Sequence, residues 1–68
     1  MTPAQCRAAR GALGWNQMEL SVRAGIYFTS VSNFEREARA PGKALVKALR
    51  DAFMEAGVVF YKNGVSWK

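Results

Sequence analysis

A mainly α fold, four short helices followed by a C-terminal β-hairpin, is what this 68-residue chain predicts. Three observations carry that expectation. Apolar residues recur at helical spacing through four successive segments. Those segments are punctuated by capping residues in front and glycines behind. After Gly57 the composition switches to β-branched and aromatic residues on either side of an Asn63-Gly64 pair.

The first helix begins at Thr2-Pro3-Ala4-Gln5, where Thr2 can cap, Pro3 occupies the first helical position and Gln5 completes a capping box. Cys6, Ala9, Arg10 and Leu13 then share a face, and Gly14 ends it. Asn16 is the next N-cap, with Glu19 three residues on. Leu20, Ser21 and Ala24 make the inner face of the second helix, and Gly25 closes it. A third helix covers about Phe28 to Glu37, anchored by Val31 and Phe34, and Arg39-Ala40-Pro41-Gly42 reads as a loop. The fourth runs from about Lys43 to Ala56 with Leu45, Ala48, Leu49, Ala52 and Phe53 as its stripe.

Residues 58–62 and 65–68 read as strands, with Asn63-Gly64 as a two-residue hairpin turn. This divides the chain into a helical unit, residues 1–56, and a hairpin, residues 57–68. An isolated hairpin is marginal in water. It must pack on the helices or add strands to a second copy, and Val59, Tyr61, Val65 and Trp67 are the residues expected at such a dimer sheet.

Composition narrows the chemistry. A chain this short buries only about 60% of its unfolded surface, so outside support is expected. One cysteine and no histidine rule out an intramolecular disulfide and a four-ligand zinc set, which leaves self-association. Without histidine, and with no Gly-x-Ser-x-Gly elbow or phosphate-cradling glycine loop, the residues point away from an enzyme. Cys6 reads as a packed thiol, Trp15 and Phe34 as core. Arg23, Lys47 and Arg50 read as a solvated face, and Met18 and Val22 as an apolar patch, exposed or covered by the hairpin. Ten Lys and Arg against five Asp and Glu favour a polyanionic partner. No apolar run approaches the roughly 18 residues of a membrane span. The expected setting is the bacterial cytoplasm or nucleoid, with no cofactor, metal or small-molecule ligand.

The stretch from Gln17 to Glu35 reads as helix, tight turn, helix, with Gly25 at the turn and Ile26 plugging the gap. Arg10, Leu13-Gly14-Trp15-Asn16-Gln17, Leu20, Ala24-Gly25, Val31-Ser32-Asn33-Phe34-Glu35-Arg36, Arg39 and Pro41 together resemble the Cro/CI-type (XRE) helix-turn-helix regulators, over about residues 3 to 56. The resemblance implies a four-helix lambda-repressor-like DNA-binding domain and an ion pair between Arg10 and Glu35. An unpaired arginine on the buried face of the first helix would be costly. It further implies that Phe28, Thr29, Ser32 and Asn33 face base edges, Asn33 suiting adenine and Thr29 a thymine methyl. Asn16, Gln17, Arg36, Arg39 and Lys43 would grip phosphate.

The function so implied is a homodimeric transcriptional regulator, expected to be a repressor, on an inverted-repeat operator in double-stranded DNA. Tyr27 departs from the usual Ser or Thr cap, and Phe28 is an unusual reader. That apolar run, Ile26-Tyr27-Phe28, motivates the alternative of a protein-binding module, antitoxin-like or anti-activator.

Overall fold

The computed structural model describes residues 1–38, 41–62 and 64–66. In chain order the elements are α1 (Pro3–Leu13), α2 (Gln17–Ala24), α3 (Phe28–Glu35), α4 (Lys43–Glu55), β1 (Val59–Phe60) and β2 (Val65–Ser66). The chain is therefore mainly helical with a small antiparallel hairpin, and no described helix is long and apolar enough to cross a membrane. The expected Arg39-Ala40 part of the loop, Asn63 of the turn, and Trp67 lie outside the described residues.

Local chemistry accounts for where the helices begin. Thr2 Oγ1 accepts from the Gln5 N–H at 3.1 Å while Gln5 Oε1 accepts from the Thr2 N–H at 2.9 Å, a complete capping box. Asn16 Oδ1 accepts from the Glu19 N–H at 2.8 Å. Tyr27 and Gly42, in front of α3 and α4, provide no side-chain cap.

All four helices end in one way. A residue in the left-handed region donates its N–H to the carbonyl three back, and the next N–H reaches five back. The left-handed residue is Gly14, Gly25 and Gly57 after α1, α2 and α4, with φ of 71°, 68° and 97°. After α3 it is Glu37, with φ of 57°. This turn ends α3 at Glu35, short of the Glu37 boundary that helical spacing suggested.

Cys6, Ala9, Leu20, Val31, Phe34, Leu49, Ala52, Phe53 and Val58 form one buried core, with Leu13, Trp15, Ile26, Leu45, Phe60 and Val65 packed around it. Phe53 is its centre. Trp15 stacks on it at 5.8 Å between ring centroids, and Phe60 meets it edge-on at 6.0 Å. Such aromatic pairs add about 0.5–1.5 kcal/mol each beyond their buried area.

The hairpin belongs to this core, which corrects two expectations. First, Val59 pairs with Ser66 and Phe60 with Val65. A turn centred on Asn63-Gly64 would instead set Lys62 opposite Val65. The observed register puts Phe60 and Val65 on one face against the helices and carries Lys62 out of the ladder. Gln5 helps to fix it, because its Nε2 donates to the carbonyls of Tyr61 and Gly64 and so clips the connection to α1. Second, Val65 is packed on its own core and does not belong to an outward dimer face. Val59 and Tyr61, on the opposite face, are exposed. Met18 and Val22 are exposed as well, so the hairpin does not cover them.

Glu37 is the one described non-glycine with positive φ, and it puts an acidic residue just past a helix C-terminus, where the macrodipole disfavours it. Its side chain is exposed, so no packing is lost on removal. Glu37→Gly should therefore stabilise the fold by about 1 kcal/mol. Thermal denaturation should register this as a rise in Tm of roughly 4–8 °C.

Candidate nucleic-acid interface

The placement of α3 depends on one buried carboxylate. Glu35, 5% exposed, accepts four side-chain hydrogen bonds from the two helices in front of it. Arg10 is bidentate, with Nε to Oε2 at 2.7 Å and Nη2 to Oε1 at 2.7 Å. Gln17 Nε2 donates to Oε1 at 3.0 Å, and Cys6 Sγ donates to Oε2 at 3.1 Å. Arg10 Nη1 also donates to the Trp15 carbonyl at 3.1 Å, and Arg7 Nη1 to the Glu35 carbonyl. Side chains of α1 and α2 are thus tied to a single residue of α3. No buried side-chain polar atom among the described residues lacks a partner.

The electrostatics follow from this geometry. Burial alone would raise the Glu35 pKa, but hydrogen bonds from Arg10, Gln17 and Cys6 hold it below the ordinary carboxylate value. The Arg10 guanidinium is held charged chiefly by its hydrogen bond to Glu35. Burial, then the neighbouring carboxylate, pushes the Cys6 thiol far upward. A thiol so placed stays protonated and is a poor nucleophile.

With its inner face fixed, α3 turns the other face outward. Val31 and Phe34 are buried, whereas Phe28, Thr29 and Arg36 are exposed and Ser32 and Asn33 half-buried. Tyr27, just ahead, is 82% exposed. Asn33 and Arg36 are joined, since Arg36 Nη2 donates to Asn33 Oδ1 at 2.9 Å. Sequence reasoning assigned these two residues separate roles and missed the link, although i, i+3 spacing on one helix face was the available signal. The outer face offers hydroxyls, an amide, a guanidinium and an apolar end, a set suited to hydrogen bonding and methyl contact with base edges.

The remaining candidate residues divide. Asn16 is used as the cap of α2. Gln17 is turned inward to Glu35, because a buried carboxylate draws a further donor. One of its two side-chain N–H bonds is thereby committed inward, and the second, with the backbone N–H at the start of α2, is what remains for an anion. Lys43 is exposed at the start of α4 and lines a shallow groove with Pro41, Val46, Lys47 and Arg50. Arg39 lies outside the described residues. Of the three basic residues read as a solvated face, Lys47 pairs with Asp51 at 2.6 Å, and Arg23 pairs with Glu19 at 2.8 Å while lying 4.6 Å over the Trp15 ring. No cluster of three or more His, Cys, Asp or Glu suited to a metal occurs among the described residues. No family model matches the chain, and no curated protein matches it.

Glu35 makes stability pH-dependent in a definite direction. Its folded pKa lies below an unfolded value of about 4.3, so its contribution is complete above that pH and is lost as pH falls through the folded value. Urea midpoints recorded from pH 7 to pH 3 should decline on the acid side. In Glu35→Gln that decline should shrink, on top of a loss of about 3–5 kcal/mol at neutral pH from leaving Arg10 without its counter-ion.

Proposed function

We propose that the chain is a sequence-specific DNA-binding transcriptional regulator of the Cro/CI (XRE) helix-turn-helix type, acting as a homodimeric repressor at an inverted-repeat operator. The observation that carries this reading is the two-faced α3. Its inner face is locked to α1 and α2 through Glu35, and its outer face presents the exposed Thr29 and Arg36 with the half-buried Ser32 and Asn33. A helix held from behind with solvent-accessible polar groups in front suits major-groove reading. The net charge of +5 supplies the attraction to phosphate.

In this mechanism α3 enters the major groove and α2 crosses the backbone. Backbone amides at the start of α2, together with Lys43, meet phosphate and set the register. The methyl of Thr29 and the ring of Phe28 meet thymine methyls. Two copies related by a two-fold axis would set their reading helices about 34–36 Å apart, one turn of DNA. Repression follows from occupying the promoter.

Selection from random-sequence duplexes tests this directly. The full chain should enrich an inverted repeat, with affinity falling steeply as salt rises, by roughly 0.9 log units per log unit of salt for each phosphate neutralised. Asn33→Ala should lose about tenfold on the selected site and keep its low-salt binding to unrelated DNA. A second reading, a protein-binding module, rests on the exposed Tyr27 and Phe28. It takes precedence if no DNA sequence is enriched at any salt concentration.

The dimer face is open to a separate test. Val59 and Tyr61 are 47% and 59% exposed on the outer side of the hairpin. Val59→Lys with Tyr61→Ser should shift sedimentation from dimer to monomer while leaving Tm of the monomer fold unchanged. Truncation at Gly57 is the wrong instrument, because it removes Val58 from the core. A double variant that still sediments as a dimer would move the interface elsewhere.

A further inference from the structure

We infer that Asn33 and Arg36 act as one donor-only reader whose target base is guanine, in place of the adenine that an isolated asparagine suggests. The inference rests on α3 facing the major groove, as proposed above. A guanidinium carries donors and no acceptor, so the Asn33 amide atom it meets has to be the oxygen. That contact fixes the amide with Oδ1 toward Arg36 and the two N–H bonds of Nδ2 directed away. The pair then offers N–H groups from Nδ2 and from the remainder of the guanidinium.

Base edges discriminate between the alternatives. Adenine needs an acceptor for its N6 amino group beside a donor for N7. Here one lone pair of the acceptor is engaged by a cation, whose own N–H groups oppose an amino group approaching the other. Guanine presents N7 and O6, both acceptors, and matches a surface made of donors. The backbone around the pair is ordered by the turn that ends α3. Arg36 N–H donates to the Ser32 carbonyl at 3.0 Å and Ala38 N–H to the Asn33 carbonyl at 3.0 Å. No carboxylate among the described residues pairs with Arg36, so its charge is available. Arg36 thus acquires a part in specificity beyond the phosphate contact expected of it.

The test uses the full chain and the duplex it selects. Guanine at the position facing Asn33 is replaced by 7-deazaguanine, which lacks only the N7 acceptor. Wild type should lose about tenfold in affinity. Asn33→Ala and Arg36→Ala, both at solvent-accessible side chains, should bind more weakly and show no further loss with 7-deazaguanine. Arg36→Ala should also relax the preference at that base pair. Wild-type selection of adenine there overturns the inference, as does an Arg36→Ala variant that only lowers the salt slope by about 1 at unchanged preference, the signature of a phosphate contact. In either case sequence-specific binding by α3 still stands. Failure of wild type to enrich any sequence is a different result, because it removes the DNA reading itself.

Discussion

The bidentate pair between Arg10 and Glu35 is the contact on which the rest of the structure depends, and its surroundings explain why. A buried carboxylate is costly unless its lone pairs are occupied, and Glu35 reaches that state only with α1, α2 and α3 packed together. Hydrophobic burial of Leu20, Val31 and Phe34 favours compaction without specifying an angle between helices. The hydrogen-bonded pair is directional, and moving α3 along or about its axis would strand the charge of Arg10. Apolar packing and ion pair therefore divide the work, the first supplying most of the driving force and the second the alignment.

The same logic extends to the hairpin at the other end of α1. Gln5 uses its oxygen to cap the helix at Thr2 and its amide nitrogen to hold the carbonyls of Tyr61 and Gly64. Phe60 meanwhile meets Phe53 edge-on. A domain of this size has little apolar area to spend, and tying its last strands to its first helix enlarges the one core available.

Much of this was legible in the residues because it is local. Thr2 with Gln5, Asn16 with Glu19, and Gly14, Gly25 and Gly57 mark helix limits through chemistry that acts over a few residues. What escaped was decided at longer range or against local preference. Asn63-Gly64 is a strong turn signal, yet packing of Phe60 and Val65 and the reach of Gln5 from α1 set another register. Gln17, polar at a helix start, commits one amide N–H inward because Glu35 draws donors, a contact that no neighbour in sequence announces. Glu37 carries a left-handed backbone with no glycine to announce it. The join between Asn33 and Arg36 obeys helical spacing, but spacing alone does not say which exposed side chains turn toward each other.

Three of these exceptions converge on α3, and together they explain how a helix of this composition can be built. Eight residues are too few to form a stable helix in isolation. Its composition offers little help, since Thr29, Ser30, Val31, Ser32 and Asn33 all have modest helix propensity. It has no side-chain cap at Tyr27, and its exit is strained at Glu37. Its conformation must then come from behind, from Val31 and Phe34 in the core and from Glu35 in its ring of donors. A helix stabilised through its inner face places few demands on the outer one. The residues there are less constrained by packing, as the exposed Phe28 and Thr29 illustrate.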